Sequence, residues 1–413
     1  MIVLSGAALV LPDRILSPGT LVIDGERIAE IRADAPSAGP HSLFAFHGHY
    51  IVPGFIDVHM HGTDGVDTLD DGDPVAALAR RLPRYGVTGF CPTTVACAPD
   101  ALRRVLDCVR SARQTPIPRA ARVLPAHLES NFVNPEYRGA QPAACLRSPR
   151  AALDRQADAP VSGHAGGCSD FAAADILSEI ERAAPDVGIV TVAPELEGGL
   201  DLVRWLALRG HRVSLGHSAA SYEEARAAIA AGARQATHLF NRMPPLHHRV
   251  PGLAGAVLEA EEVAAEVICD GFHVHPALIQ AAIAAKRPSR VLAITDATAL
   301  AGLPTGSHSR IGGRTITAGA GTALLEDGTI AGSTLTMDRA FQMLVGRIGL
   351  SLVDAAVVCA TTPARELGLV GCGLLAPGAL ADLVVLDANF DVVQTYVAGQ
   401  LVYARNTGAT GDV

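Results

Sequence analysis

A chain of 413 residues, 49% hydrophobic and 18% charged, has the composition of an ordinary globular protein, with room for one domain of about 250–350 residues and a smaller second one. Its formal net charge of −9 argues against nucleic acid as the main partner, because phosphate backbones are held by clustered Lys and Arg. It leaves room for a small anionic ligand, which one local Arg can hold.

The opening "MIVLSGAALVLPDRIL" has no basic stretch, and Asp13 and Arg14 interrupt it, so it reads as a strand and not a signal peptide. No apolar run reaches the roughly 18 residues that a membrane helix needs. The eight cysteines form no C-x-x-C pair and lie mostly in apolar segments; they read as reduced, buried thiols of a cytoplasmic protein. Residues 1–53 alternate short β-like runs with turns, and "DGERI" (Asp24 to Ile28) reads as a hairpin turn. From about 54 to 370, strand-like runs alternate with helical patterns. "VTGFCPTTV" precedes "DALRRVLDCVRSAR", "VGIVTVAPE" precedes "GGLDLVRWLALRG", and "HRVSLGHS" precedes "SYEEARAAIAAGA", whose Ser221 and Glu224 fit a capping box. "QATHLF", "EVICDGFHV" with "PALIQAAIAAK", and "RVLAITDA" continue the series. Roughly eight such units predict a closed parallel (β/α)8 TIM-type barrel. The C-terminal "ADLVVLDANFDVVQTYVAGQLVYA" returns to strands and turns. The two ends are expected to pair as one small discontinuous β-sandwich, 1–53 with 372–413, around a catalytic barrel of 54–371.

In such barrels the chemistry sits at the C-terminal ends of the strands, and the polar residues fall there. "GFIDVHMHG" ends in His59 and His61, which point the same way because strand side chains alternate. His47 and His49 share that spacing but precede the barrel. "LPAHLES" ends in Glu129, "VSLGHS" in His217, "ATHLF" in His238 and "AITDA" in Asp296. His217 and His238 are 21 residues apart, one β/α unit, so neighbouring strands present a His at the same level. Imidazoles and carboxylates without a thiolate suit Zn²⁺, Mn²⁺ or Fe²⁺. A metal there lowers the pKa of a water and polarises a carbonyl, and a carboxylate beside it shuttles the proton. The stretch "ATHLFNRMPPLHHR" (236–249) is then either a polar surface loop or the rim of a site.

At these residues the sequence resembles the N-acetylglucosamine-6-phosphate deacetylases of the amidohydrolase superfamily. The resemblance is carried nearly end to end by "PGFIDVHMHG", "HLES", "FVNPEYRGAQP", "SLGHS", "ATHLFNRMPPLHHRVPGLAG", "DGFHVHP", "ITDATALAG", "GTIAGSTLTM" and "GALADLVVLD". It implies a metal-dependent barrel with a flanking β-sandwich, usually homodimeric, that removes the N-acetyl group of an amino-sugar 6-phosphate. It also implies the roles of single residues. Glu129, His217 and His238 would form the main metal site. His59 and His61 would hold a second ion, with Glu129 bridging, so that one or two divalent metals (Zn, or Fe, Mn or Co) bind per chain. Asp296 would be the general acid/base. Ala140, Gln141, Asn241, Arg242, Asp270, His273, Ile330, Ala331 and Gly332 would meet the substrate. Arg249 would reach the phosphate in the neighbouring subunit's site.

The chain departs from the family pattern in four places. Ser130 and Asn131 stand where the family has Gly-Pro, Arg242 where many members have Ala, and Gln141 where some have His. The segment 161–171 has no family counterpart. The departures at Ser130, Asn131 and Arg242 are expected to lie beside the substrate and to bear on which sugar is taken. Two other readings share the metal barrel: a hydrolase of another N-acyl amino sugar or cyclic amide, or a non-catalytic sugar-phosphate sensor. Many cyclic-amide enzymes carry a carboxylated Lys where Glu129 stands, and a sensor needs no proton shuttle such as Asp296.

Overall fold

The computed structural model describes residues 1–33, 42–155 and 171–405. Eight parallel strands follow one another in chain order: Phe55–Met60, Val87–Thr94, Ala126–Leu128, Val187–Val192, Arg212–Leu215, Gln235–Ala236, Ala264–Ile268 and Val291–Ile294. The last returns to the first through hydrogen bonds from the backbone of Asp296 to His59 O and of His61 to Ala297 O, which closes the barrel. All six residues of Phe55–Met60 and all eight of Val87–Thr94 are buried, as strands covered on both faces must be. The expected helices form around them. Pro99–Gln114 buries Leu102, Val105, Leu106 and Val109, the i, i+3, i+4, i+7 stripe of an amphipathic helix. Each such side chain contributes about 1.5–3 kcal/mol on burial. Tyr222–Ala231 is opened by the Ser221/Glu224 capping box.

The barrel interior contains a polar layer that pairs with itself. Thr191 Oγ1 lies 2.8 Å from Thr237 Oγ1, across the intervening strand, and Thr237 Oγ1 lies 2.6 Å from Ser214 Oγ. His127 Nδ1 donates to Val58 O and its Nε2 meets Thr191 Oγ1, each at 3.0 Å. Burial, outweighing its neighbours, holds this histidine down near a pKa of about 4, so it is neutral.

The strands of both chain ends share one eight-stranded sheet. Tyr50–Pro53 pairs with Leu383–Leu386 on one side and with Ile2–Val10 on the other. The sheet curls until Ile28, beside the edge strand's first residue, exchanges hydrogen bonds with Gly378 and Ala379, enclosing Leu4, Leu21, Ile51, Leu383 and Tyr396. The hairpin turn stands at Gly25-Glu26, between Asp24 and its partner Arg27. One further element lay outside the sequence expectation: a four-stranded antiparallel sheet, His308–Ile311, Arg314–Ala318, Thr322–Leu325 and Ile330–Ser333, inserted after the eighth barrel strand.

The reading of all eight cysteines as reduced is corrected at Cys145, which is disulfide-bonded. Pairing depends on which segments the fold brings together, and spacing does not reveal that. Six others are free, five of them buried. Residues 161–170 of the segment without a family counterpart, including Cys168, fall outside the described residues. Among the described residues no helix is long and apolar enough to cross a membrane.

Candidate metal centre

His59 is the next-to-last residue of the first barrel strand and His61 follows its end; Glu129 comes directly after the third. His217, His238 and Asp296 each stand two residues past their strands, and all three adopt left-handed backbone, with φ of 48°, 30° and 49°. Such backbone costs a non-glycine residue about 1–3 kcal/mol and persists only where its surroundings enforce it. The repeated turn throws three side chains back over the barrel mouth, where all six residues are buried.

Their polar atoms converge into two groups that share Glu129. Glu129 Oε1 lies 2.7 Å from His217 Nε2 and 3.0 Å from His238 Nε2, and those two nitrogens are 3.0 Å apart. His59 Nε2 and His61 Nε2 are 3.3 Å apart and lie 3.4 and 3.2 Å from Asp296 Oδ1. Glu129 Oε2 sits 3.3 Å from His61 Nε2 and so joins the groups. Gln141 steadies this carboxylate by donating to the same oxygen at 2.5 Å, its own oxygen accepting from the Ala96 backbone N–H. His217 Nδ1 donates to Tyr137 O at 2.8 Å, which leaves Nε2 its lone pair.

Electrostatics match the geometry. Burial opposes charge on His59, yet Asp296, Glu266 and Glu129 outweigh it and raise its pKa to about 9; Asp296 and Glu129 raise His61 to about 10 in the same way. Burial would raise the Glu129 carboxyl, but His217, His238 and His61 hold it well below the usual range, and His59 and His61 lower that of Asp296. Positive charge is therefore demanded at this point. The donors fit a divalent cation. Pairs of imidazole nitrogens face each other 3.0 and 3.3 Å apart, near the roughly 3.3 Å between ligands of a tetrahedral ion with bonds of about 2.0–2.1 Å. Glu129/His217/His238 and His59/His61/Asp296 each bring three ligand atoms within 4.8 Å of one another. His59, His127 and Glu266 meet the same limit, but both nitrogens of His127 and the Nδ1 of His59 are already hydrogen-bonded.

Above the cluster opens a cavity of about 470 Å³. Ala140, Gln141, Asn241, Arg242, His273, Ile330 and Gly332 line it, as do His61, Glu129, His217, His238 and Asp296. Arg242 is the one Arg or Lys among these lining residues, and its guanidinium donates to Ile330 O at 3.3 Å. His273 Nδ1 donates to Asp270 Oδ2 at 2.6 Å, while its Nε2 is buried without a partner. Burial opposes charge on this ring, but Asp270 raises its pKa above the usual value.

Other expected residues fall elsewhere. Asp270 does not line the cavity; its oxygens hold His273 and the backbone N–H groups of Phe272 and His273. Ala331 turns into the core of the inserted sheet, because alternate strand residues face opposite ways. Arg249 lies on the exposed run 245–250, away from this cavity, and so do His247 and His248, whose rings meet at a tilt of 45° with centroids 4.3 Å apart. The expectation that Ser130 and Asn131 lie beside the substrate is corrected. Both are buried and occupied with backbone: Ser130 Oγ donates to Thr191 O, and Asn131 Nδ2 donates to Cys97 O and Cys145 O. Of Ser130, Asn131 and Arg242, the last alone reaches the cavity. Sequence reading missed Glu266, Tyr137 and Glu195, the last holding Ser218, Ala219 and Asn134 next to His217. A strand residue inside an apolar run, a backbone carbonyl and a loop acid carry no signal of such roles.

Residues 207–402 match the amidohydrolase family model. The chain is 36% identical over 405 residues to the human N-acetylglucosamine-6-phosphate deacetylase, covering 94% of this chain and 90% of that one. It is 35% identical to the N-acetylgalactosamine-6-phosphate deacetylase of Escherichia coli O157:H7, covering 91% and 93%. Among solved structures it resembles a mutant N-acetyl-D-glucosamine-6-phosphate deacetylase of Mycobacterium smegmatis in complex with N-acetyl-D-glucosamine-6-phosphate. The TM-score is 0.84 and the identity 32%, over 97% of this chain and 99% of that one. With this barrel, this strand-end cluster and these relatives, the chain belongs to the N-acetylglucosamine-6-phosphate deacetylase family of the amidohydrolases.

Proposed function

We propose that the protein hydrolyses the N-acetyl group of an amino-sugar 6-phosphate, N-acetylglucosamine-6-phosphate first, giving glucosamine-6-phosphate and acetate. The observation that carries this is the convergence of four imidazoles and two carboxylates on the floor of a cavity whose lining includes one guanidinium. Glu129, His217 and His238 would hold one divalent cation, and His59 and His61, with Glu129 between, a second. Zinc suits the imidazole–carboxylate set, with Fe, Mn or Co as alternatives. When bound, the metal lowers the pKa of a water and polarises the amide carbonyl.

Asp296 borders the cavity and takes the proton of the attacking water as its oxygen bonds to the acetyl carbon. The C–N bond then breaks, Asp296 returns the proton to the amine nitrogen, and acetate leaves. His273, oriented by Asp270, presents its Nε2 to the substrate. Asn241, Arg242, Ala140, Gln141 and the segment Ile330–Gly332 shape the sugar subsite.

Arg249 would serve the phosphate of the neighbouring subunit in a homodimer. Its exposed run carries Leu246 and Val250, 47% and 63% exposed, a surface that association would cover. We propose a cytoplasmic location and a division into 54–371 and the paired ends 1–53 and 372–413. The galactosamine epimer is the second reading, favoured by the equally similar relative that carries that name. Acetate release from a panel of N-acetylated sugars, with and without a 6-phosphate, tests all of this. Release from no member of the panel by metal-replete protein would refute the assignment, and the preferred epimer decides between the two sugars.

A further inference from the structure

Glu266 is a carboxylate inside the barrel, fully buried on the seventh barrel strand, Ala264–Ile268. It bonds across the interior, past the eighth strand, to the first: His59 Nδ1 donates to its Oε2 at 2.9 Å. The same oxygen accepts from the backbone N–H of His238 at 3.3 Å. Oε1 accepts from Gln235 Nε2 at 2.5 Å. One carboxylate thus touches a residue from each of the two clusters, by its side chain in one and its backbone in the other. Gln235 is itself anchored. Arg212 Nε donates to Gln235 Oε1 at 2.5 Å, and Arg212 pairs with Glu366 at the far end of the barrel. A line of polar groups, Gln235 fully buried among them, therefore fixes Glu266 from below.

The arrangement has a chemical consequence for His59. An acceptor at Nδ1 keeps the proton of the neutral ring there, so that the Nε2 facing His61 and Asp296 is the nitrogen freed for a metal. His61 has no such support, since its Nδ1 is buried without a hydrogen-bond partner. The order of the His59/His61/Asp296 cluster therefore rests on the Glu266–His59 bond. The other cluster has its own anchor in the bond from His217 Nδ1 to Tyr137 O, and Glu266 meets it only through backbone.

We infer that Glu266 is the positioning residue that makes the His59/His61/Asp296 cluster a second metal site, and that it decides whether the chain holds one divalent cation or two. This rests on the metal reading proposed above. Metal-free wild type and Glu266→Gln are titrated with Zn²⁺ against a chromogenic chelator, with circular dichroism confirming the fold. The wild type is expected to bind two ions. Glu266→Gln should keep the first and weaken the second by about 10–100-fold, the usual effect of losing a carboxylate behind a ligating histidine. In a His59→Asn background the same change should add nothing.

Two ions bound with wild-type affinity by Glu266→Gln would overturn this inference and leave the metal reading intact. A wild type that binds none would overturn both. Equal weakening of both ions, or an undiminished effect in the His59→Asn background, would show a general structural role and also overturn it. Should Glu266→Gln fail to fold, Glu266→Asp keeps the charge but withdraws it by one methylene. It is expected to weaken the second ion alone, and unchanged binding there would count against the inference.

Discussion

Asp296 carries the proton in the proposed reaction, and its surroundings prepare it for that. His59 and His61 keep its carboxyl below the usual range despite burial, which favours the ionised form that a base needs. Asp296→Asn keeps the shape and removes the base. We expect kcat to fall by about 10²–10⁴-fold with the ion at Glu129, His217 and His238 still bound. A loss of metal with the activity would make Asp296 chiefly a ligand. The histidine pair yields a second expectation. Without metal, His59 and His61 are held at about 9 and 10, so both are protonated at neutral pH, whereas an ion needs them neutral. Raised pKa values let protons compete with metal until the pH passes them. Binding of the second ion should therefore release protons and tighten as pH rises from 7 toward 9. Calorimetry in buffers of different ionisation enthalpy reads both, and pH-independent affinity would contradict the assignment. Of the residue-level reading, the six cluster residues were legible because each is a polar group where a strand ends. Ser130 and Asn131 were misplaced because the same position also serves hydrogen bonds to backbone, and a sequence does not tell which way a short polar side chain turns.

The inserted four-stranded sheet matters to the site through its last strand. Ser333 N donates to Asp296 O at 2.8 Å and Thr298 N to Ser333 O at 3.0 Å, so Ile330–Ser333 pins the segment that carries Asp296. Gly332 lies within that strand with φ of 65°, and a Cβ there would stand 2.7 Å from Asp296 O. Gly332→Ala would have to push the Asp296 segment aside, and a misplacement of about 1 Å can cost about 10²-fold. We expect a fall of at least about tenfold in kcat, with Glu129, His217 and His238 still holding metal. Near-wild-type turnover would show that the strand does not position the base. The sheet escaped notice because its strands are four or five residues long and joined by Gly-containing turns, and the eight-unit alternation around it is the stronger pattern. The β/α units themselves were legible, since helices such as Pro99–Gln114 carry a full apolar stripe.

Assembly is the remaining question for the whole molecule. Arg249 lies away from the cavity of its own chain, and Arg242 is the cation within it. In a two-fold dimer with shared sites, Arg249→Ala should cost about 2–4 kcal/mol in kcat/KM for a phosphorylated substrate and little for the plain sugar. Mixing Arg249→Ala with Asp296→Asn protein should restore activity, because one hybrid site then has both residues intact. A monomer by sedimentation, or no recovery on mixing, would assign the phosphate to Arg242 instead.

The sequence alone determined the barrel, the hairpins of the terminal sheet and the identity of the six cluster residues, because these follow from local periodicity, turn chemistry and strand-end position. Tertiary structure decided what depends on contacts across the barrel. It placed Glu266 behind His59 from two strands away and aimed Gln141 at Glu129. It engaged Cys145 in a disulfide and enforced left-handed backbone at His217, His238 and Asp296. Each of these joins groups far apart in the chain or holds a conformation disfavoured by itself, and only the closed barrel supplies the partner or the constraint.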